Sequence, residues 1–238
     1  MAGDEVFFLD AVFEPSGSLG AGDARVCFNE DLTTVETTIN YRVLAGVEDD
    51  YFDFSQEVVS AELDGESVIA VRGRSEYYSN DVVQGGFTES VNYSQIVGPF
   101  MLRGLRNEFR RFDETGTEVQ FSFNTFEPPR ETRFDLSAGD SYESEFTFEQ
   151  QVEQDGIVTS VDNFEFHVVT RFDGIEEITT PLGTRAACRF TETTTQTMMG
   201  VPTENEQTFW IGVGNGLVLD SEPGAGEIIS GTINGVEI

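Results

Sequence analysis

Apolar and polar residues alternate with a period of two along most of the chain. Val35, Thr37, Ile39, Tyr41 and Val43 interleave with Glu36, Thr38, Asn40 and Arg42. Val119, Phe121 and Phe123 interleave with Gln120, Ser122 and Asn124. Tyr142, Ser144, Phe146 and Phe148 interleave with Glu143, Glu145, Thr147 and Glu149, and Phe164, Phe166 and Val168 interleave with Glu165, His167 and Val169. Each run predicts a half-buried antiparallel strand with one apolar and one wet face.

The punctuation supports this. Asp64-Gly65, Asp155-Gly156, Asp173-Gly174, Asn215-Gly216 and Asn234-Gly235 supply the positive φ of tight hairpin turns, and Thr115-Gly116 closes another. The stretch 100–112 fits a helical stripe through Met101, Leu105, Phe109 and Phe112, but reads better as a strand feeding Thr115-Gly116. Glu14–Asp23 is a Gly/Ser turn region. Pro128-Pro129 can divide the sheet, since proline cannot donate to an interior ladder. The predicted fold is all-β with little helix. It is a strongly curved antiparallel meander of ten to twelve strands, forming a half-barrel or open barrel. We expect one domain over 1–238: N-terminal strands in 1–125, a second section in 126–220 and a C-terminal hairpin in 221–238.

Charge narrows the partners. The chain has 238 residues, 13 basic and 44 acidic, for a net charge of −31; every basic residue is Arg. Nucleic acid and anionic membrane surfaces would be repelled. No apolar run is long enough to span a bilayer as a helix, and Met1-Ala2-Gly3 leads into Asp4-Glu5 without a signal-peptide pattern. Abundant carboxylates without Lys suit a protein adapted to high salt, where screening removes self-repulsion.

Candidate chemistry is sparse. Cys27 and Cys188 permit one disulfide across 161 residues; the alternative is two thiols. Two Cys and one distant His do not make a zinc site. His167 reads as a strand-surface residue. Asp49, Asp50 and Asp53 could offer hard oxygens to Ca²⁺ but lack the loop spacing, so a solvated turn is expected. Arg103, Arg106, Arg110 and Arg111 are expected to pair with neighbouring carboxylates; the sharper alternative is a docking patch for an acidic group. No nucleophile elbow or phosphate loop occurs. A carboxylate pair among so many acids carries almost no specificity. We expect no enzyme activity, cofactor or metal. The Phe residues are the most informative functional feature: Phe121, Phe123, Phe146, Phe148, Phe164 and Phe166 are predicted on adjacent strands, where one concave face could enclose an apolar ligand.

The second section carries a resemblance. Phe126-Glu127-Pro128-Pro129 precedes Phe134-Asp135-Leu136-Ser137-Ala138-Gly139-Asp140-Ser141-Tyr142. Two long alternating runs follow, then Glu177-Ile178-Thr179-Thr180-Pro181-Leu182-Gly183-Thr184, Cys188-Arg189-Phe190, and Phe209-Trp210-Ile211-Gly212-Val213-Gly214-Asn215-Gly216-Leu217-Val218. This order resembles bacterial extracytoplasmic proteins with a half-barrel related to the lipoprotein carrier LolA, over about 126–220. Leu182, Arg185-Ala186 and Ile211-Gly212 depart from its turn motifs. The resemblance implies a curved sheet able to hold lipid or acyl chains, in a periplasmic or secreted protein. The leading expectation is therefore a non-enzymatic binder or carrier of a hydrophobic small molecule, or an envelope scaffold. The alternatives are a carbohydrate-binding or carbohydrate-active β-sandwich, and a subunit that joins a protein partner or forms a homo-oligomer through its sheet edges.

Overall fold

The computed structural model describes residues 22–45, 50–154, 157–198, 200–222 and 227–238. Among them, two 3-10 turns, Ala24–Cys27 and Glu30–Thr33, are followed by thirteen strands. These are β1 (Thr38–Leu44), β2 (Asp50–Leu63), β3 (Glu66–Ser79), β4 (Val82–Ile96), β5 (Met101–Phe112), β6 (Glu118–Arg133), β7 (Ser141–Gln154), β8 (Ile157–Thr180), β9 (Gly183–Met198), β10 (Val201–Gly212), β11 (Val218–Glu222), β12 (Ile228–Ile233) and β13 (Val236–Glu237). All belong to one antiparallel sheet in the order β11-β10-β9-β8-β7-β6-β5-β4-β3-β2-β1-β12-β13. The sheet is an open meander from β1 to β11, and the chain then crosses to pair β12 with β1.

Connectivity requires the sheet to curl. In that order β11 and β12 stand eleven spacings apart, roughly 53 Å in a flat sheet at ~4.8 Å per strand. Yet Glu222 ends one and Ile228 starts the other, and the intervening chain reaches only about 20 Å when fully extended. Contacts between distant strands agree. Arg185 of β9 donates to the Ile238 carbonyl at 2.9 Å. The segment from the first 3-10 turn to the start of β1 bridges the same gap: the Val26 carbonyl accepts from Gly214 N–H, and Glu36 N–H donates to the Val58 carbonyl. The curved all-β meander read from the sequence is thus what forms.

The turns show which signals were sound. Asp64-Gly65 and Asn234-Gly235 are two-residue turns with positive φ at both positions, as the twist of tight hairpins requires. Gly116 also has positive φ, and the Asp113 carboxylate accepts the N–H groups of Thr115 and Thr117 at 2.9 Å each. Asn80-Asp81 closes β3 on β4 with the same geometry and no glycine, because Asn and Asp tolerate left-handed backbone. Asp155-Gly156 lies outside the described residues, as does most of Glu14–Asp23.

Other expectations are corrected. Asp173-Gly174 is not a hairpin turn but an irregularity within the 24-residue β8. The extra residue lets Phe172 and Ile175 both enter the core, and the Asp173 carboxylate takes the Arg171 guanidinium at 2.5 Å and the Thr191 hydroxyl at 2.6 Å. The reversal comes instead at Pro181-Leu182. Val35 is exposed and precedes β1, after which Glu36 adopts positive φ. The C-terminal hairpin is confined to β12 and β13; residues 221–222 belong to β11 at the other margin. The stretch 100–112 contains strand β5. At Pro128 the ladder between β6 and β7 stops after Glu127 and Thr147, while β5 still pairs with Arg130 to Arg133.

The main core lies under the 3-10 turns. Ala24 and Cys27 pack with Phe134, Leu136, Phe172, Ile175, Cys188, Phe190 and Ile211. Cys27 and Cys188 form a disulfide there, tying the N-terminal segment to β9.

Candidate functional site

The register divides the six Phe residues between the two faces. Phe146 opposes Phe166 and Phe148 opposes Phe164, which places these four together. Phe148 also opposes Phe126, so Phe126 joins them. Phe121 and Phe123 oppose Glu153 and Gln151 and point to the other side. The expectation of one six-Phe face is therefore corrected: odd-numbered and even-numbered positions of β6 face opposite ways. The buried side chains of that stretch are Ser122, Asn124 and Phe126 rather than Phe121 and Phe123. The reason lies on β5, where Arg106 sits 4.3 Å from the Phe123 ring centre and Arg110 sits 4.4 Å from that of Phe121. These cation–π contacts suit half-exposed rings.

The remaining rings form a filled cluster. Phe146 stacks on Phe166 at 5.3 Å and meets Phe126 edge-on at 5.5 Å. Phe148 lies 5.9 Å from Phe164 and 5.8 Å from Phe166. These are separations of direct ring contact, and Val168 packs beneath. Three concavities of about 650, 620 and 510 Å³ occur elsewhere, and none is lined by any of the six Phe. The first lies where Leu182 meets β1, β2 and β12, but both of its arginines are already paired within it: Arg42 grips Asp53 at 2.7 and 2.9 Å, and Arg74 grips Glu76 at 2.6 Å.

Most of the other residues singled out from the sequence are held by neighbours, but Arg111 departs from the expected pairing: it is exposed, opposes Thr88 and Gln120, and makes no ion pair among the described residues. Arg103, Arg106 and Arg110 pair with Glu131, Glu108 and Glu118. His167 lies 3.4 Å from Glu143. Asp50 accepts from the Tyr77 hydroxyl, which holds its carboxyl below the usual range, and Asp53 is the partner of Arg42; Asp49 lies outside the described residues. Among the described residues no group of three His, Cys, Asp or Glu is arranged to hold a metal ion.

A different constellation stands out once the strands are paired. Asn92 opposes Asn107, Asn107 opposes Asn124, and Asn124 opposes Gln150. Four amide side chains thus form one row across β4, β5, β6 and β7, on the face that carries Phe146, and Asp162 of β8 continues it opposite Gln150. Cross-strand neighbours of this kind have Cβ atoms about 4.5–5.5 Å apart. Among the described residues none of the four amides makes a side-chain hydrogen bond. Asn124 is only 6% exposed, and its Oδ1 is buried with no partner. An unmade bond at such a group costs about 1–3 kcal/mol, so this row is not a self-satisfied structural ladder.

The row has aromatic borders. Phe126, Phe148 and Phe164 oppose one another along its side on β6, β7 and β8, and Phe109 with Ser122 and Val152 runs along the other. Phe109 and Arg111 are exposed, so this face opens to solvent at β5. Sequence reasoning missed the row because its members are far apart in the chain; only the register assembles them. The available signal was that Asn124 and Gln150 sit on strands whose alternation marks an amide as a face residue.

No family model, no curated protein and no solved structure matches the chain. The motifs behind the expected resemblance to the LolA-type half-barrel fall at the β6–β7 connection, the β8–β9 turn and the β10–β11 turn, and no comparison identifies that family.

Proposed function

We propose that the protein is a non-enzymatic binding protein whose ligand is a neutral, hydroxyl-rich molecule of the saccharide class, held on the amide row of β4 to β7. The observation that carries this reading is the buried, unpartnered Oδ1 of Asn124 within a row of unbonded amides. Each amide offers two donors and an acceptor, which matches adjacent sugar hydroxyls. The bordering rings offer apolar planes to the C–H faces of a sugar. A carrier of apolar ligands would need empty space at Phe146, Phe148, Phe164 and Phe166, and those rings fill it. The net charge of −31 disfavours anionic ligands. The disulfide supports residence in an oxidising, extracytoplasmic compartment.

A glycan array probed with the parent protein and with Asn124→Leu tests the reading. The parent should retain neutral glycans. The variant, which removes the unmet polar group at similar volume, should lose them while melting higher by the equivalent of about 1–3 kcal/mol. Absence of any neutral-glycan binding tighter than about 1 mM would overturn the proposal.

A further inference from the structure

Building on that reading, we infer that the ligand is a linear oligosaccharide chain lying across the strands, with one sugar unit over each of β4, β5, β6 and β7. Successive amides stand one strand spacing apart, ~4.8 Å, a step comparable with the advance of an extended β-linked pyranose chain per unit. A compact monosaccharide would meet one or two of the four amides and leave the others unbonded, so the row suits a repeating ligand.

The row also has two distinct ends. Beyond Asn92 the next positions on the same line are Val71 on β3 and Val58 on β2. These are apolar, and Val58 is fully buried, so the polar track stops at β4. Beyond Gln150 the line reaches Asp162 on β8. It goes no further, because β9 pairs with β8 only from Glu165 onward. The amide track therefore has a fixed length of four positions, closed by an apolar wall on one side and by a carboxylate at an unpaired strand edge on the other.

The borders give the chain an orientation. Phe126, Phe148 and Phe164 border it over β6 to β8, whereas Phe109 borders it over β5 from the opposite side. The unit over β5 would thus meet a ring on one flank, and the units over β6 and β7 would meet rings on the other, so the two ends of the chain are not equivalent on the track. A sugar bearing hydroxyls and one bearing an acetamido group share the required chemistry, a donor and an acceptor on every unit.

Isothermal titration with cello-oligosaccharides and, separately, chito-oligosaccharides of one to six units tests this on the whole chain. In the series that binds, affinity should rise with each unit up to four, by about 2- to 10-fold per unit, and then level off. Gln150→Ala should move the plateau from four units to three. Asn92→Ala, at the other end, should do the same and serves where Gln150→Ala fails to fold, as judged by far-UV circular dichroism. A disaccharide that binds as tightly as the tetrasaccharide, or a plateau unmoved by both end variants, would overturn the extended chain while leaving saccharide binding intact. No binding by either series, together with an empty neutral-glycan array, would overturn both.

Discussion

Replacing Phe146 by Ala tests the division of aromatic residues between two faces. Phe146 is 6% exposed and touches Phe166, Phe126 and Val168. Truncating a buried Phe removes its transfer free energy and leaves a cavity, which together cost about 3–5 kcal/mol. Phe121 lies half-buried on the opposite face and is covered by Arg110. Its truncation forgoes about 0.5–1 kcal/mol of cation–π attraction and part of its apolar burial, so it should cost distinctly less than Phe146→Ala. Double-mutant cycles sharpen the test. Phe146→Ala with Phe166→Ala should couple by about 0.5–1.5 kcal/mol, as stacked rings do. Phe146→Ala with Phe121→Ala should add within about 0.5 kcal/mol, because the residues share no partner. Urea unfolding of the parent, the three single and the two double variants, fitted with a common slope, supplies every quantity. A Phe146→Ala cost below about 1.5 kcal/mol would mean a hollow rather than a filled cluster. Coupling between Phe121 and Phe146 as large as that between Phe146 and Phe166 would refute the two-face register.

Three further outcomes follow from the same structure. Non-reducing peptide mapping should recover Cys27 linked to Cys188, and reduction should lower stability by about 5 kcal/mol for a 161-residue span on chain-entropy grounds; two freely alkylated thiols in the native protein would contradict this. Raising NaCl from about 0.1 to 2 M should raise the melting temperature, because screening relieves the self-repulsion of a −31 chain; a flat or falling curve would remove the salt-adaptation argument. The Glu76 carboxyl is held below its usual range by Arg74 and then Tyr78, and that of Asp135 by Arg133. Since the unfolded chain takes up these protons at higher pH, their stabilisation is complete above the ordinary carboxylate range and is lost as pH falls below about 4; Glu76→Gln with Asp135→Asn should flatten that acid limb, and an unchanged limb would refute the assignment.

Much of the fold was legible because period-two alternation and Asx-Gly turns are local signals. The faces were less legible, for physical reasons. Phe121 and Phe123 look like core positions, but Arg106 and Arg110 arrive from the neighbouring strand and cover them. Asp173-Gly174 has the composition of a hairpin, yet Phe172 and Ile175 on either side both belong to the core, and an irregularity within β8 satisfies both without reversing the chain. Asn80-Asp81 turns without glycine, since short polar side chains accept left-handed backbone. The amide row was invisible because it exists only across strands: Asn92, Asn107, Asn124 and Gln150 become neighbours through three separate registers. The crossing of β12 to β1 likewise depends on the sheet having already curled.

The most direct measurement on the proposed site reads the side-chain amide protons themselves. In a ¹⁵N-labelled sample, adding the oligosaccharide selected by titration should shift the NH₂ resonances of Asn92, Asn107, Asn124 and Gln150 together. Those of Asn29, which bonds to the Asn215 carbonyl, and of Asn40, whose partner position Ser55 lies on the other face, should stay in place. Four unmoved amide resonances under saturating ligand, with shifts elsewhere, would contradict the account.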